Sequence, residues 1–511
     1  MATKKLLLFI LFTASILHSY SQSTVKWSDV SDGNNSDAQF IVGNNYGNIF
    51  LLNRKSGFFL SKDKWYIETY NDTSLKKINS TEIIFGKTES FEESVSLQQN
   101  NYIFTNSFID NTKKLLAYSI DKNGIPNNSP QEISAVDKCE SRNNYNFHFL
   151  YSTDTSKLCI YHIVPRSEEE SKHVKVIILN EKLQIEHTKI VELPFQSREC
   201  FILNATLSND IFAGLLKVAD DDKLRIFTNR TYSYYTISYN IKADSVKLRS
   251  INLEKKSNIV GSSFYTLSNK EIGICGFYRV LINDRDKVVK PFNSLLLNHS
   301  ISNNIADYVD DYATPNAPLN IFRDVNNYNY EPLLNYVLPN DKVVLVCEKN
   351  YVETSCLTDF RTGMQRCNYY YHVDNVEAYI FEKTYESKKK FAVEKKQISI
   401  NDDGYFLGSL GGYFNKHLYL IYNDSKLNTS TKRSVELIAS SEIHYMNSAK
   451  KANVVLSKIN EDGKISKQIL FTNAGNKTVF VPQKSIITNT GKIIFYCKRS
   501  SRFKIGVMDL K

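Results

Sequence analysis

Between Tyr351 and Asp374 the chain gathers side chains suited to holding a partner. Arg361, Arg366, Asn368, Tyr369, Tyr370, Tyr371 and His372 fall in one short stretch, and Cys356 and Cys367 bracket the polar run from Leu357 to Arg366. A tyrosine ring gives rigid contact area with a polar tip, and arginine adds donors in a fixed fork; both are enriched at binding hot spots. A disulfide between Cys356 and Cys367 would close a short loop and limit its entropy. The competing assignment is structural: alternate tyrosines pack on neighbouring units and the rest is solvated.

Catalytic chemistry is harder to place. Asp220 to Asp222, Asp307, Asp310-Asp311 and Asp402-Asp403 supply oxygen ligands, yet none follows the alternating order and terminal Glu of a calcium loop. They read as solvated turn acids. A glycosidase needs two carboxylates at a defined separation across a sugar bond, and the sequence nominates no such pair. No His-Glu-x-x-His, Cys-x-x-Cys, phosphate loop or complete dinucleotide fingerprint occurs. Gly408 to Gly412 is glycine-rich without the downstream Lys that would meet phosphate, and reads as a turn or bend. There is no Gly-x-Ser-x-Gly elbow, and the nine histidines are scattered. The sequence names no catalytic residue, metal or cofactor; a binding or interaction scaffold is the expectation, with a carbohydrate-active or other hydrolytic propeller as the alternative. Lesser binding candidates are Tyr422-Asn-Asp424 with Asn428, and Thr231 to Tyr235, where local capping or core packing competes with function.

The elements that must position these residues are strands. With 511 residues, 42% hydrophobic and 23% charged, the chain is folded and able to bury a large core. Its 32 Tyr and 29 Phe, beside 4 Met, favour pleated surfaces over helices. One pattern recurs about eight times from residue 39 onward: a short apolar strand, a polar turn, a second apolar strand, then a charged third. Copies begin near Phe40, Asn101, Phe147, Phe201, Ser262, Leu334, Phe406 and Ser485. In the copy from Phe147 to Pro194, four strands are expected at Phe147 to Tyr151, Lys157 to Val164, His173 to Leu179 and Glu186 to Leu193. Asp121 to Gly124 and Asn460 to Gly463 mark hairpins between outer strands.

Four short antiparallel strands in each copy make an all-β propeller the expected fold, with about eight four-stranded blades, seven as the alternative count and a β-sandwich array as the competing architecture. The last copy, Ser485 to Lys511, holds only three strands. A closed ring would take its fourth from the N-terminal segment around Thr24 to Trp27, hiding two sheet edges. No Pro/Gly/Ser-rich linker interrupts the run, so residues 22 to 511 read as one domain.

Residues 1 to 21 read as a signal peptide: Lys4 and Lys5, an apolar run from Leu6 to Ile16, then Ser19-Tyr20-Ser21. Export, to the periplasm or beyond, is the expectation, with no membrane-spanning segment in the mature chain. The net charge of +10 is spread over strand edges and turns, which argues against a nucleic-acid partner. An envelope or extracellular protein or a glycan is the expected partner class. Cys159, Cys275, Cys347 and Cys497 each sit in an apolar second strand and read as small buried hydrophobes.

Tyr151-Ser-Thr-Asp-Thr-Ser-Lys-Leu158, Gly276-Phe-Tyr278, Cys347-Glu-Lys-Asn-Tyr351 and Leu420-Ile-Tyr-Asn-Asp424 followed by Asn428 carry a resemblance. The chain resembles exported β-propeller-like proteins of the Bacteroidota over most of residues 39 to 511. That resemblance implies fold and export, and brings no catalytic residue with it.

Overall fold

The computed structural model describes residues 25–510 apart from 33–38, 56–62, 140, 142–144, 166, 168–169, 197–198, 209, 220–231, 252, 254–256, 269, 284–285, 298–311, 314–328, 359–360, 382–386 and 430–442. The leader segment 1–21 and the acids Asp220 to Asp222, Asp307 and Asp310-Asp311 lie outside the described residues.

The chain is an all-β propeller, and the described residues form eight antiparallel sheets. Two short N-terminal strands, β1 (Lys26–Trp27) and β2 (Ser31–Asp32), precede the first full blade. Blade 1 is β3 (Gln39–Asn45), β4 (Asn48–Lys55), β5 (Lys64–Asn71) and β6 (Lys77–Ile83); blade 2 is β7 (Glu89–Leu97), β8 (Asn100–Ile109), β9 (Thr112–Ile120) and β10 (Gln131–Val136). Blade 3 is β11 (His148–Tyr151), β12 (Lys157–Val164), β13 (Ser171–Asn180) and β14 (Ile185–Gln196); blade 4 is β15 (Cys200–Ser208), β16 (Ile211–Ala219), β17 (Tyr232–Asn240) and β18 (Ser245–Ile251). Blade 5 is β19 (Ser257–Thr266), β20 (Ile272–Asn283), β21 (Asp286–Leu297) and β22 (Tyr312–Ala313). Blade 6 is β23 (Asn329–Val337), β24 (Val343–Thr358), β25 (Gln365–Phe381) and β26 (Ser387–Val393), with β27 (Gln397–Ile400) added on β25. Blade 7 is β28 (Ser409–Phe414), β29 (His417–Asp424), β30 (Asn453–Asn460) and β31 (Ile465–Thr472). Blade 8 holds β32 (Val479–Phe480), β33 (Ile486–Ile487), β34 (Lys492–Arg499) and β35 (Arg502–Asp509), and β35 also pairs with β1 and β2.

Alternating sequences bury one set of side chains on each sheet face, so adjacent blades must share a core. Each major apolar cluster joins neighbours. Ile103 and Tyr118 of blade 2 meet Phe50 and Ile67 of blade 1; Phe104 meets Leu158 of blade 3; Cys159 meets Phe212 of blade 4; and Leu215 meets Ile274 of blade 5. The series continues with Phe277 on Leu345 of blade 6, Val344 on Leu420 of blade 7, and Tyr419 on Phe495 of blade 8. It closes when Ile494 and Ile505 of blade 8 pack on Ile49 and Leu51 of blade 1. The ring is therefore sealed by an apolar seam as well as by the β1–β35 ladder. Trp27 of β1 packs in the neighbouring seam between blades 7 and 8, its ring edge-on to Phe471 at 4.8 Å.

The first strands of blades 1, 2, 4, 5 and 6 share an irregularity. Their ladders shift by one residue between Ile41 and Gly43, Phe91 and Glu93, Ile202 and Asn204, Ile259 and Gly261, and Pro332 and Leu334. A bulge bends a strand and sharpens its twist, which suits the crowded inner edge of a ring. At Gly261 the approach is so close that a Cβ would strike the backbone carbonyl of Tyr330 on the next blade's inner strand.

Cys159, Cys200, Cys275, Cys347 and Cys497 are buried free thiols in these seams. Burial pushes the thiol of Cys200 up to about 11 and those of Cys159, Cys275, Cys347 and Cys497 higher still. Protonated, they act as apolar filler.

Candidate functional site

In an up-and-down blade, the turn between second and third strands lies on the same face as the connection to the next blade. Blade 6 is enlarged at that turn. β24 and β25 remain paired from Val343 opposite Phe381 out to Thr358 opposite Gln365, with one shift between Glu348 and Asn350. The described part of the inner strand β23 reaches this ladder as far as Asn350. At about 3.4 Å per residue, Asn350 to Thr358 extends roughly 27 Å past that pairing.

The stretch expected as a polar loop is thus mostly strand. Cys356 and Cys367 are directly opposed in the ladder and joined by a disulfide, so the bond ties two strands that are already paired. On the other side, β27 pairs with β25 from Tyr370 opposite Ile400 to Val373 opposite Gln397. Asn401 extends this contact: its backbone N–H donates to the Tyr369 carbonyl at 3.0 Å, its Oδ1 accepts from the Tyr369 N–H at 2.9 Å, and its Nδ2 donates to Asn368 Oδ1 at 3.0 Å. Met446 holds the far edge of β27 through bonds with Lys396 and Ile398.

Opposed residues project from the same face of a ladder, so the register sorts the site. One face carries Tyr351 with His372, Glu353 with Tyr370 and Ile400, Ser355 with Asn368, and Leu357 with Arg366; the other carries Val352 with Tyr371, Thr354 with Tyr369, and the disulfide. The aromatic residues therefore do different work. His372 is buried, stacked beneath Tyr351, with Nε2 3.6 Å from Glu353 Oε2. Tyr371 donates to Asp403 Oδ1 at 2.8 Å, which raises its phenol, and packs with Val373 on Leu407, Met446 and Ala452. Tyr370 is half-buried, whereas Tyr369, Asn368, Arg361 and Arg366 are exposed.

Sequence reasoning missed the apolar members of this surface. Leu357 is 75% exposed, Met364 67%, Val352 54% and Ile400 53%. Their signal was the alternation of Val352, Thr354 and Cys356 along one strand, which a loop assignment discards.

A buried polar knot fixes the root of the hairpin. Lys395, fully buried, pairs with Glu348 at 2.9 Å and donates to Gln397 Oε1 at 3.0 Å; Ser409 also donates to Glu348, and Gly408 N–H donates to Gln397. Gly408 to Gly412 thus includes a docking edge for this knot. Asn423 donates from Nδ2 to the carbonyls of Phe406 and Phe480, and Asp424 accepts from Asn428, which exchanges two bonds with the His444 backbone. Burial raises the Asp424 carboxyl, opposed by the Asn428 bond. The Tyr422 to Asn428 group consequently caps and tethers blade 7.

Two further clusters lie elsewhere. On inner strand β7, Glu89 accepts from Thr105 at 2.9 Å and Tyr118 at 2.7 Å, Glu92 accepts from Asn106, and burial with nearby Glu92 raises the Glu93 carboxyl. Between blades 2 and 3, Ser134 Oγ is 3.3 Å from His162 Nε2, His162 Nδ1 faces the Ile163 carbonyl at 3.2 Å, and Lys175 donates to Ser134. Ser134 is 5% and His162 1% exposed, so this pair is a strut between blades, sealed from substrate. Burial lowers His162 to about 4, with Lys175 and Lys113 adding to the effect. Among the described residues no cluster of three or more His, Cys, Asp or Glu is arranged to hold a metal ion, and no helix is long and apolar enough to cross a membrane.

No protein-family model and no curated protein matches the chain. Among solved structures it is similar to a manganese-bound oligogalacturonate lyase, at 8% identity and TM-score 0.35 over 96% of this chain and 97% of that one. It is also similar to the β-propeller domain of the Trilobed protease from Pyrococcus furiosus, at 10% identity and TM-score 0.31 over 88% and 96%. A Pyrococcus horikoshii acylaminoacyl peptidase matches at 10% identity and TM-score 0.34 over 93% of this chain and 59% of its own length. These likenesses accompany the propeller architecture and speak to no activity.

Proposed function

We propose that the protein is an exported, non-catalytic recognition scaffold whose blade 6 hairpin contacts an envelope or extracellular protein or glycan. One observation carries this: a strand-paired, disulfide-linked hairpin stands off the propeller and presents Leu357, Met364, Tyr369 and Arg366 to solvent. Exposed apolar side chains beside a guanidinium are costly to leave in water and are the composition of binding hot spots. Bracing of the β25 edge by β27 supports low ordering cost on binding, and the disulfide accords with an oxidising compartment. The test is a binding array of purified envelope polysaccharides and extracellular protein domains probed with the full mature chain, with product analysis in parallel. Binding weakened about tenfold or more by Arg366→Ala and Tyr369→Ala, at unchanged thermal stability, is the expected result. Binding indifferent to both substitutions overturns the assignment.

The second function, a hydrolytic propeller acting on carbohydrate or another substrate, is favoured by one group. Glu93 has its carboxyl raised by burial beside Glu92, as a general acid requires. Product formation abolished by Glu93→Gln would replace the scaffold assignment.

A further inference from the structure

We propose that the free edge of β24, Val352–Thr358, is a self-association site at which two copies of this chain pair antiparallel about Ser355. The Cα atoms of Cys356 and Cys367 are 4.0 Å apart, which places them in the narrow, non-hydrogen-bonded class of opposed residues. The backbone groups of Val352, Thr354, Cys356 and Thr358 therefore point away from β25. Among the described residues no strand pairs with them; the described part of β23 begins at Asn329, opposite Asn350. Several protections of an open edge are missing: Val352–Thr358 contains no Pro, no Lys and no bulge, and Glu353 is its one charged residue.

A second copy fits this edge by register and charge. Pairing about Ser355 sets Val352 against Thr358 of the other copy and Thr354 against Cys356, so outward-facing backbone groups meet each other along the whole segment. Glu353 then opposes Leu357, covering part of the most exposed apolar side chain on the hairpin. A register that set Glu353 against its own counterpart would oppose two carboxylates and is disfavoured. Arg366 lies directly beside Leu357 on the same face, so each copy brings its guanidinium two strands, about 10 Å, from the other's Glu353. Those two long side chains span that gap together, and the two-fold axis makes the contact twice. Because the pairing is antiparallel, the two propellers lie toward opposite ends of the paired segment.

This contact shares Leu357 and Arg366 with the recognition surface proposed above, so the two roles are told apart at Thr354, which that surface does not use. The test is sedimentation velocity of the full mature chain from submicromolar to high micromolar concentration. The expected result is a reversible dimer that Thr354→Ala preserves and Thr354→Pro weakens about tenfold or more, because proline removes an outward N–H that β25 does not use. Glu353→Arg and Arg366→Glu should each weaken the dimer, and their combination should restore it. A monomer at every concentration overturns the proposal, as does a dimer indifferent to Thr354→Pro or a charge-swapped pair without recovery. Array binding that survives in a monomeric Thr354→Pro variant would separate the two roles.

Discussion

The ring of Tyr351 lies on that of His372, with centroids 4.2 Å apart and planes 5° from parallel. Both His372 ring nitrogens are buried without a hydrogen-bond partner, and Glu353 is the nearest acid. The imidazole therefore contributes shape and stacking at the cost of unmet polarity. Replacing it with a ring lacking that polarity should be tolerated. His372→Phe is expected to leave the melting temperature unchanged or slightly higher, while His372→Ala lowers stability by about 2 kcal/mol. Equal losses in both variants, in thermal unfolding, would show that the nitrogens matter.

Lys395 and Glu348 should behave as a unit. Removing only the lysine strands a buried carboxylate, so Lys395→Met is expected to cost about 3 to 5 kcal/mol. Lys395→Met with Glu348→Gln should recover much of that loss. Denaturant unfolding of both variants checks the expectation, and a double variant no better than the single one refutes it.

His162 should make the propeller acid-sensitive above the carboxylate range. Its folded pKa is lowered by burial to about 4 from the ordinary 6.5, so unfolded chains bind the proton first as pH falls. Its neutral buried form is therefore fully compatible with the fold above about pH 6.5, and stability is lost as pH drops from there to about 4. The full effect is roughly 3 kcal/mol. His162→Gln should flatten this part of the stability profile, and an unchanged slope in that variant would remove His162 from the account.

The disulfide should matter locally. Its two strands are already held by the ladder and by β27, so Cys356→Ser with Cys367→Ser is expected to move global unfolding little. Hydrogen exchange at Glu353, Ser355 and Leu357, whose N–H groups face β25, should quicken by about tenfold or more as the hairpin end opens. Equal quickening in the seams around Leu345 and Leu420 would contradict a local role.

Fold was legible where turn chemistry and alternation agreed. Lys157–Val164 matches its expected strand, and Asp121 to Gly124 and Asn460 to Gly463 join outer strands as those residues demand. Side chains at the candidate site were less legible. Tyr369, Tyr370 and Tyr371 are consecutive, yet one is exposed, one half-buried and one bonded to Asp403; strand register decides among them, and register depends on Asn401 and Ile400 thirty residues away. The knot around Lys395 was invisible for the same reason: its members Glu348, Gln397 and Ser409 become neighbours only when blades 6 and 7 meet.

The ladder between Lys26–Trp27 and Arg502–Asp509 also sets a timetable. The N–H of Ile505 bonds to Ser28 across 477 residues of sequence, so β1 lacks this partner until β35 emerges. Local hairpins are free to form as the chain lengthens, whereas the circle itself is assembled only after β35 has been made. Until then, Trp27 and the apolar flank of blade 1 are surfaces for a chaperone to shelter.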